Sequence, residues 1–343
     1  MLSETIVLNK ERNVTLTTYI QPVGGEFTYI NKRPAVIVIP GGGYQFCSDR
    51  EAEIVAFEYL RAGYHAFVLR YSMKENAVWP NPLNDYDQAM ELIRSKAGEW
   101  HIYEDKIAVL GFSAGGHLAS AAATMSKNRP NAALLGYAVI TDDVHGCSPT
   151  APSTWDKVDK DTCPCFIFAT RTDEVVPIAN SIKFMEALDK AGIAFESHIY
   201  GYGPHGFSTC KSAVQAPNSA FCNRVPHWVD DSIEWLKDIF GDFSTNGSMT
   251  KPKCRKKIYA DDEEFLSVDC RISYLMQQPQ AREVLEPIIG NIIKSDPLLG
   301  DSEELPSIFA NITLRTALSF ANLPAEKIEE IDRQLNQILN ITQ

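Results

Sequence analysis

Lys106-Ile107-Ala108-Val109-Leu110-Gly111-Phe112-Ser113-Ala114-Gly115-Gly116-His117, running on into Leu118-Ala119-Ser120-Ala121-Ala122-Ala123, decides the fold of this chain. An apolar run of strand character meets a serine, and a small-residue helix opens directly behind it. The spacing predicts a strand, a sharp turn and a helix, with Ser113 at the apex of the turn. Such a turn strains the serine backbone, and it is tolerated only where the residues two before and two after carry no bulk, hence Gly111 and Gly115. Oγ of Ser113 then projects from the sheet edge as in a nucleophile elbow. Gly-rich strand-to-helix turns also hold phosphates, so the motif alone leaves two readings and the rest of the chain has to choose.

Working outward, residues 5 to 21 alternate apolar and polar (Val14, Leu16, Thr18, Ile20), the pattern of a half-exposed antiparallel pair at a sheet edge. The rhythm then changes to continuous apolar runs at 35–39, 66–69, 107–110, 132–140, 166–169 and about 195–200, separated by helix-length segments. Runs of this kind suit strands covered on both faces, and their alternation with helices implies right-handed crossovers and a mostly parallel sheet. The expected architecture is therefore α/β, an eight-stranded, mostly parallel sheet flanked by helices. Ile182, Met185 and Leu188 predict a helix between Pro177 and Gly192, and Ile233, Leu236 and Phe240 predict another ending at Gly241.

Residues 242–257 are rich in Gly, Ser, Pro and Lys and read as a linker after a catalytic domain of residues 1–241. Helical patterns without strand signals follow at 282–293, 307–320 and 325–339, the last with Ile328, Ile331, Leu335 and Ile338 on one stripe and Pro324 suited to a first turn. Residues 258–343 are thus expected to form a small all-helical domain, or a helical extension packed on the main one.

A nucleophilic Ser113 needs a base, an orienter for that base and donors for an oxyanion, each on a loop at the carboxyl edge of the sheet. Of the seven histidines, His205 follows the final strand directly, in the glycine-rich turn Gly201-Tyr202-Gly203-Pro204-His205-Gly206-Phe207, and is the expected base, with His145 as its rival. Asp173 leaves the preceding strand in Arg171-Thr172-Asp173-Glu174-Val175-Val176-Pro177 and is the expected orienter, ahead of Glu174, Asp142 and Asp143. The order Ser113, Asp173, His205 is the one that accompanies this elbow. Pro40-Gly41-Gly42-Gly43-Tyr44 ends an earlier strand, and its glycines let backbone N–H groups approach a tetrahedral intermediate without Cβ obstruction. Gly42, Gly43 and Ala114 are the expected donors.

The bulk numbers narrow the classes. The chain has 343 residues, 45% of them hydrophobic, which suffices for one large core and a second small one. A formal net charge of −12 argues against a phosphate-backbone partner, so no nucleic acid is expected. The first ten residues carry no signal-peptide pattern and no stretch reaches the ~18 apolar residues of a membrane span, so a cytoplasmic location and no membrane partner are expected. The eight cysteines are then expected to be reduced, with Cys163-Pro164-Cys165 a strand start rather than a metal site; no metal and no cofactor is expected. Sequons at Asn13, Asn246, Asn311 and Asn340 read as chance matches.

These segments together resemble the α/β-hydrolase superfamily, and within it the acetyl-xylan and feruloyl esterase-like group. The resemblance rests on Pro40 to Tyr44, Ser48-Asp49-Arg50-Glu51, Val68 to Ser72, Ile107 to Ala119, Asp173 to Pro177 and His205-Gly206-Phe207, and it covers about residues 15 to 240. Lipase relatives have His before the three glycines where this chain has Pro40, which argues against a lipase-type substrate. The resemblance implies a serine carboxylesterase acting on short acyl, above all acetyl, esters of a carbohydrate. Residues 141–163 are too short for a full helical lid, which favours an open cleft over a long-chain lipid pocket. Tyr44 is the expected substrate-binding residue, with Tyr71, Trp79 and Trp155 as further sugar-stacking candidates. The C-terminal residues are similar to a helical module appended to some bacterial carbohydrate-active esterases. Two alternatives stay open: an amidase (arylformamidase-like) or peptidase on the same triad, and a carbohydrate-associated binding or scaffold protein whose C-terminal helices dock a partner or a second copy.

Overall fold

The apolar runs from 35 to 169 lie in strands buried on both faces, whereas the one expected at 195–200 is an edge strand with Glu196, Ser197 and Ile199 exposed. A computed structural model of the protein describes residues 1–215, 220–295 and 310–340. The strands are β1 (Leu2–Asn9), β2 (Val14–Ile20), β3 (Arg33–Ile39), β4 (His65–Arg70), β5 (Ile102–Phe112), β6 (Ala132–Gly136), β7 (Cys165–Thr170) and β8 (Phe195–Tyr200). They form one eight-stranded sheet in the order β1-β2-β4-β3-β5-β6-β7-β8. β1 pairs antiparallel with β2 and β2 antiparallel with β4, while every pairing from β4 to β8 is parallel. This is the α/β architecture expected from the sequence.

Successive residues of the central strands β3 to β7 feed two different cores, the period-two consequence of the pleat. Ile37, Val109, Leu135 and Ile167 pack under α2 (Asn81–Ser95), α3 (Ser113–Thr124) and α4 (Ala179–Lys190). Their neighbours Val38, Leu110, Leu134 and Phe168 pack against α1 (Glu53–Arg61) and α5 (Trp228–Phe240). The α5 helix is strongly amphipathic; it buries Trp228, Ile233, Leu236 and Phe240, and the Trp228 ring stacks on Phe168 with centroids 4.1 Å apart. In contrast, α3 is buried from Ala114 to Thr124, which its small side chains allow by letting the helix lie close to the sheet.

Three expectations are revised. β6 stops at Gly136, short of residue 140, because Tyr137 takes a φ of +33° and the chain peels away; the N–H groups of Ile140 and Thr141 donate instead to Asn180 Oδ1. In α4, Ile182 is 43% exposed and the helix is anchored by Phe184 and Leu188. Residues 242–256 are no free linker. They belong to the first of two compact units, Met1–Lys256 and Lys257–Gln343. Phe243 lies under the Arg33 guanidinium, Gly247 bridges to Ile30, and the N–H groups of Lys253 and Cys254 donate to Asp238 O. Isolated apolar anchors such as Phe243 and Met249 hold a segment whose average composition is that of a linker.

The second unit is built on α6 (Ile272–Leu275), α7 (Pro279–Ser295), α8 (Leu314–Phe320) and α9 (Ala325–Leu335). Leu266, Val268, Leu275, Leu285, Leu314, Leu318, Ile328, Ile331 and Leu335 form its core, so the stripe read on the last helix is the buried one. Pro324 stands just before α9, and residues 307–309, the start of the helix expected at 307–320, lie outside the described residues. Two antiparallel bridges, Phe265 to Leu339 and Arg271 to Thr313, tie the helices together. Asn340 is buried, its Nδ2 donating to Asp261 O and Glu263 O, which removes it as a glycan acceptor. Among the described residues no helix is long and apolar enough to cross a membrane, and all eight cysteines are free thiols.

Two fully buried histidines give the first unit an acid weakness. Burial pushes the pKa of His65 and of His117 down to about 4, so both are neutral in the fold at pH 7. Above about pH 6.5 the unfolded chain is neutral at these sites too and they contribute no pH dependence. Between about 6.5 and 4 the unfolded chain takes up protons that the fold refuses, so stability falls with falling pH by up to about 3 kcal/mol per histidine. Urea unfolding at about pH 7 and about pH 4.5 measures the slope, and His117→Gln is expected to flatten it by about one histidine's share.

Candidate active site

β5 ends at Phe112 and α3 begins at Ser113, whose φ is +52°. Sterics explain the flanking glycines. A Cβ on Gly111 would stand 2.1 Å from Gly115 O, and one on Gly115 would stand 2.2 Å from Ile39 O and 2.4 Å from Pro40 O. The left-handed serine is held there by close packing of the turn against the end of β3.

Ser113 Oγ lies 2.9 Å from His205 Nε2, and His205 Nδ1 lies 2.7 Å from Asp173 Oδ2. The other carboxylate oxygen of Asp173 accepts from the N–H groups of Val175 and Val176, each at 2.9 Å, and the side chain is almost wholly buried. A carboxylate so placed accepts a hydrogen bond from Nδ1–H, leaving Nε2 as the acceptor for the serine hydroxyl. The turn carrying His205 is tied back to β7 by Thr170 Oγ1, which donates to Gly203 O at 2.7 Å, and by the Gly203 N–H, which donates to Thr172 Oγ1 at 3.0 Å. The rivals are otherwise placed: His145, Asp142 and Glu174 are exposed, and Asp143, at the rim of the same cleft, accepts from Asn180 Nδ2 at 2.9 Å.

The glycine loop after β3 faces this group. Gly42 has a φ of +130° and a Cβ there would stand 2.0 Å from Phe46 O, so no other residue fits. Among the described residues the N–H groups of Gly42, Gly43 and Ala114 meet no protein acceptor, which leaves them available to an anion beside Ser113. The Gly41 N–H is taken: it donates to Glu51 Oε2 at 2.8 Å, and Glu51 Oε1 accepts from Tyr137 Oη at 2.6 Å. Burial pushes the Glu51 carboxyl up, while the Tyr137 hydroxyl and the Gly41 N–H pull it back down. Neither Glu51 nor Tyr137 was among the residues singled out from the sequence as part of the site. In the sequence Glu51 is one residue of the segment Ser48-Asp49-Arg50-Glu51 and Tyr137 one residue of an apolar run, with no role attached to either.

The chain is similar to known proteins. A family model described as BD-FAE matches residues 28–131. MGS-M1, an alpha/beta hydrolase enzyme from a Medee basin deep-sea metagenome library, is 44% identical, with a TM-score of 0.66 over 70% of this chain and 98% of that one. The chain belongs to the α/β hydrolases. An acetyl ester-xyloside bifunctional hydrolase from Caldicellulosiruptor lactoaceticus is 29% identical, with a TM-score of 0.61 over 69% of this chain and 96% of that one. The acetylxylan esterase of Xylanibacter ruminicola is 30% identical over 50% of this chain and 41% of its own length. The endo-1,4-beta-xylanase B of Butyrivibrio fibrisolvens is 34% identical over 53% of this chain and 34% of its own length. The chain thus spans well under half the length of these two relatives.

The hydrolase cleft over Ser113 and His205 has a volume of about 500 Å³. Phe46, Val139, Val175 and Val176 give it apolar walls, and Arg50 and Asp143 stand at its polar side. The expectation that Tyr44 binds substrate is overturned. Tyr44 is fully buried, and its hydroxyl lies 2.6 Å from His117 Nδ1, whose Nε2–H donates to Pro152 O at 2.7 Å. The turn at Tyr44, with a φ of +60°, swings the ring into the core rather than into the cleft. Tyr71 is likewise buried, donating to Pro40 O; Trp79 packs edge-on against His117; and the Trp155 ring carries the Lys183 ammonium 5.4 Å from its centroid. The aromatic that does line the cleft is Phe46, 58% exposed, two residues beyond the tyrosine that the sequence suggested.

Proposed function

We propose that this hydrolase is a serine carboxylesterase that removes short acyl groups, acetyl above all, from carbohydrate esters. The observation that carries the reading is His205 standing between Ser113 Oγ and Asp173 at hydrogen-bonding distance from both, beside three backbone N–H groups that meet no acceptor among the described residues. In the proposed mechanism His205 Nε2 takes the hydroxyl proton as Oγ attacks the ester carbonyl. Asp173 stabilises the imidazolium, and the N–H groups of Gly42, Gly43 and Ala114 hold the oxyanion. Collapse breaks the acyl–oxygen bond, and the imidazolium gives its proton to the leaving alcohol. Water, deprotonated by the same nitrogen, then frees the acid and restores Ser113.

Size and kinship support the acyl and alcohol halves. The cleft walls are short valines and one phenylalanine, and the segment between β6 and β7 adds single turns at Asp142–Gly146 and Trp155–Lys157 rather than a helical lid. Acetyl ester hydrolysis is in the names of two relatives, the Xylanibacter acetylxylan esterase and the Caldicellulosiruptor acetyl ester-xyloside hydrolase. The test is an acyl series on p-nitrophenol together with acetylated xylooligosaccharides. The expected result is a kcat/KM for the acetate at least about tenfold above the octanoate, with acetate release from the oligosaccharides. Preference for octanoate overturns the sugar reading, and faster turnover of a matched acetanilide would make the chain an amidase.

A further inference from the structure

Glu51 is 3% exposed, and a buried carboxylate is costly unless its oxygens are fully hydrogen-bonded. An apolar side chain of the same volume would be easier to bury, so the partners of this carboxylate matter. One oxygen accepts from the N–H of Gly41, the first glycine of the loop expected to bind the oxyanion. Gly41 is wedged against the elbow: a Cβ there would stand 2.8 Å from Glu51 Oε2, 2.7 Å from Phe112 O and 3.0 Å from Ser113 Cβ. The other oxygen accepts from Tyr137, whose own oxygen accepts from the N–H of Ser208 at 3.1 Å, three residues beyond His205. The Tyr137 ring stands edge-on to the His205 imidazole, with centroids 5.0 Å apart, and Ser208 Oγ donates to Arg50 O, next to Glu51 in the chain.

We propose that Glu51 is a positioning residue for ester hydrolysis: one buried carboxylate that locks the glycine loop on one side and, through Tyr137, the His205 turn on the other. This rests on the serine esterase reading above. The donors Gly42 and Gly43 and the base come from loops more than 160 residues apart in sequence, and this bridge joins the glycine loop to the His205 turn by hydrogen bonds alone. An amide in place of the carboxylate cannot serve both sides. If its oxygen faces Gly41, its NH2 faces Tyr137 and the phenolic proton loses its acceptor; if it is turned over, two N–H groups confront each other at Gly41.

The experiment compares wild type with Glu51→Gln and Tyr137→Phe. It reads kcat and KM on p-nitrophenyl acetate, and the affinity of a boronic acid that forms a tetrahedral adduct on a serine. Expected are folded variants with KM within about twofold of wild type, kcat down about 10- to 100-fold, and boronic acid binding weakened in step with kcat. A structural role alone would lower the yield of folded protein and leave these ratios unchanged. If both variants keep kcat, or lose it only in proportion to a rise in KM, the proposal is overturned. If Glu51→Gln does not fold, Tyr137→Phe, which deletes a single oxygen, decides between the same outcomes. A wild-type protein that neither hydrolyses esters nor reacts with a fluorophosphonate at Ser113 overturns the esterase reading itself, a result distinct from active variants.

Discussion

Ser113→Ala is expected to lower kcat on p-nitrophenyl acetate by about 10⁴- to 10⁶-fold while leaving the thermal midpoint nearly unchanged. The substitution keeps the Cβ and therefore the sterics of the elbow, where the backbone already sits at a φ of +52°. It removes one part-buried hydrogen bond, to His205, whose net worth is about 1 kcal/mol. On the proposed mechanism the nucleophile is then gone, and what remains is the proposed oxyanion site acting on water. The measurement is a turnover assay alongside stoichiometric fluorophosphonate labelling, which should drop from one group per chain to none. Undiminished turnover would point to a different nucleophile. Cys147 also lines the cleft, but burial pushes its thiol up, away from the reactive thiolate. Residual activity in the variant is therefore not expected from that quarter.

How much of this was legible in the sequence follows from where the physical signal resides. The elbow is written locally: Gly111 and Gly115 are forced by contacts with residues that the same short turn brings together, so the requirement shows as a motif. His205 and Asp173 are nearly as legible, because each follows a strand at the carboxyl edge, the buried β7 for Asp173 and the edge strand β8 for His205, and the fold allows few other exits. The two-faced cores made the central strands β3 to β7 visible as apolar runs.

Illegible features depend on long-range closure. Glu51 meets Tyr137 across 86 positions, and no local pattern distinguishes a carboxylate that will be buried from one that will face water. The direction of an aromatic in a loop is equally hidden. Tyr44 and Phe46 differ by two positions, yet the left-handed backbone at Tyr44 sends one ring to His117 and leaves the other at the cleft. Residues 242–256 mislead for the converse reason, since Phe243 and Met249 are enough to hold a segment whose average reads as solvent-exposed.

Asp173→Asn, a change of one atom type, is expected to cost about 10⁴-fold in kcat with KM little changed. The usual escape for an asparagine at such a position is to turn its amide so that the oxygen faces the imidazole. Here that escape is blocked. Asp173 Oδ1 accepts from two backbone N–H groups, those of Val175 and Val176, each at 2.9 Å. An NH2 group turned toward them would set donors against donors in a buried site, leaving all of them unsatisfied at about 1–3 kcal/mol each. The amide oxygen therefore stays on the backbone pair and the NH2 group meets His205 Nδ1, 2.7 Å away in the native arrangement. Nδ1 must then accept, the proton moves to Nε2, and the imidazole donates to Ser113 where it needs to accept. The defect lies in tautomer and not in binding, so boronic acid and substrate affinity should change far less than turnover. Asp173→Ala provides the control: it frees Nδ1 from any imposed donor, so on this argument it should be no slower than Asp173→Asn despite removing more of the side chain. An asparagine variant markedly faster than the alanine variant would mean that the amide turns over after all, and that the Val175 and Val176 N–H groups do not fix the acid.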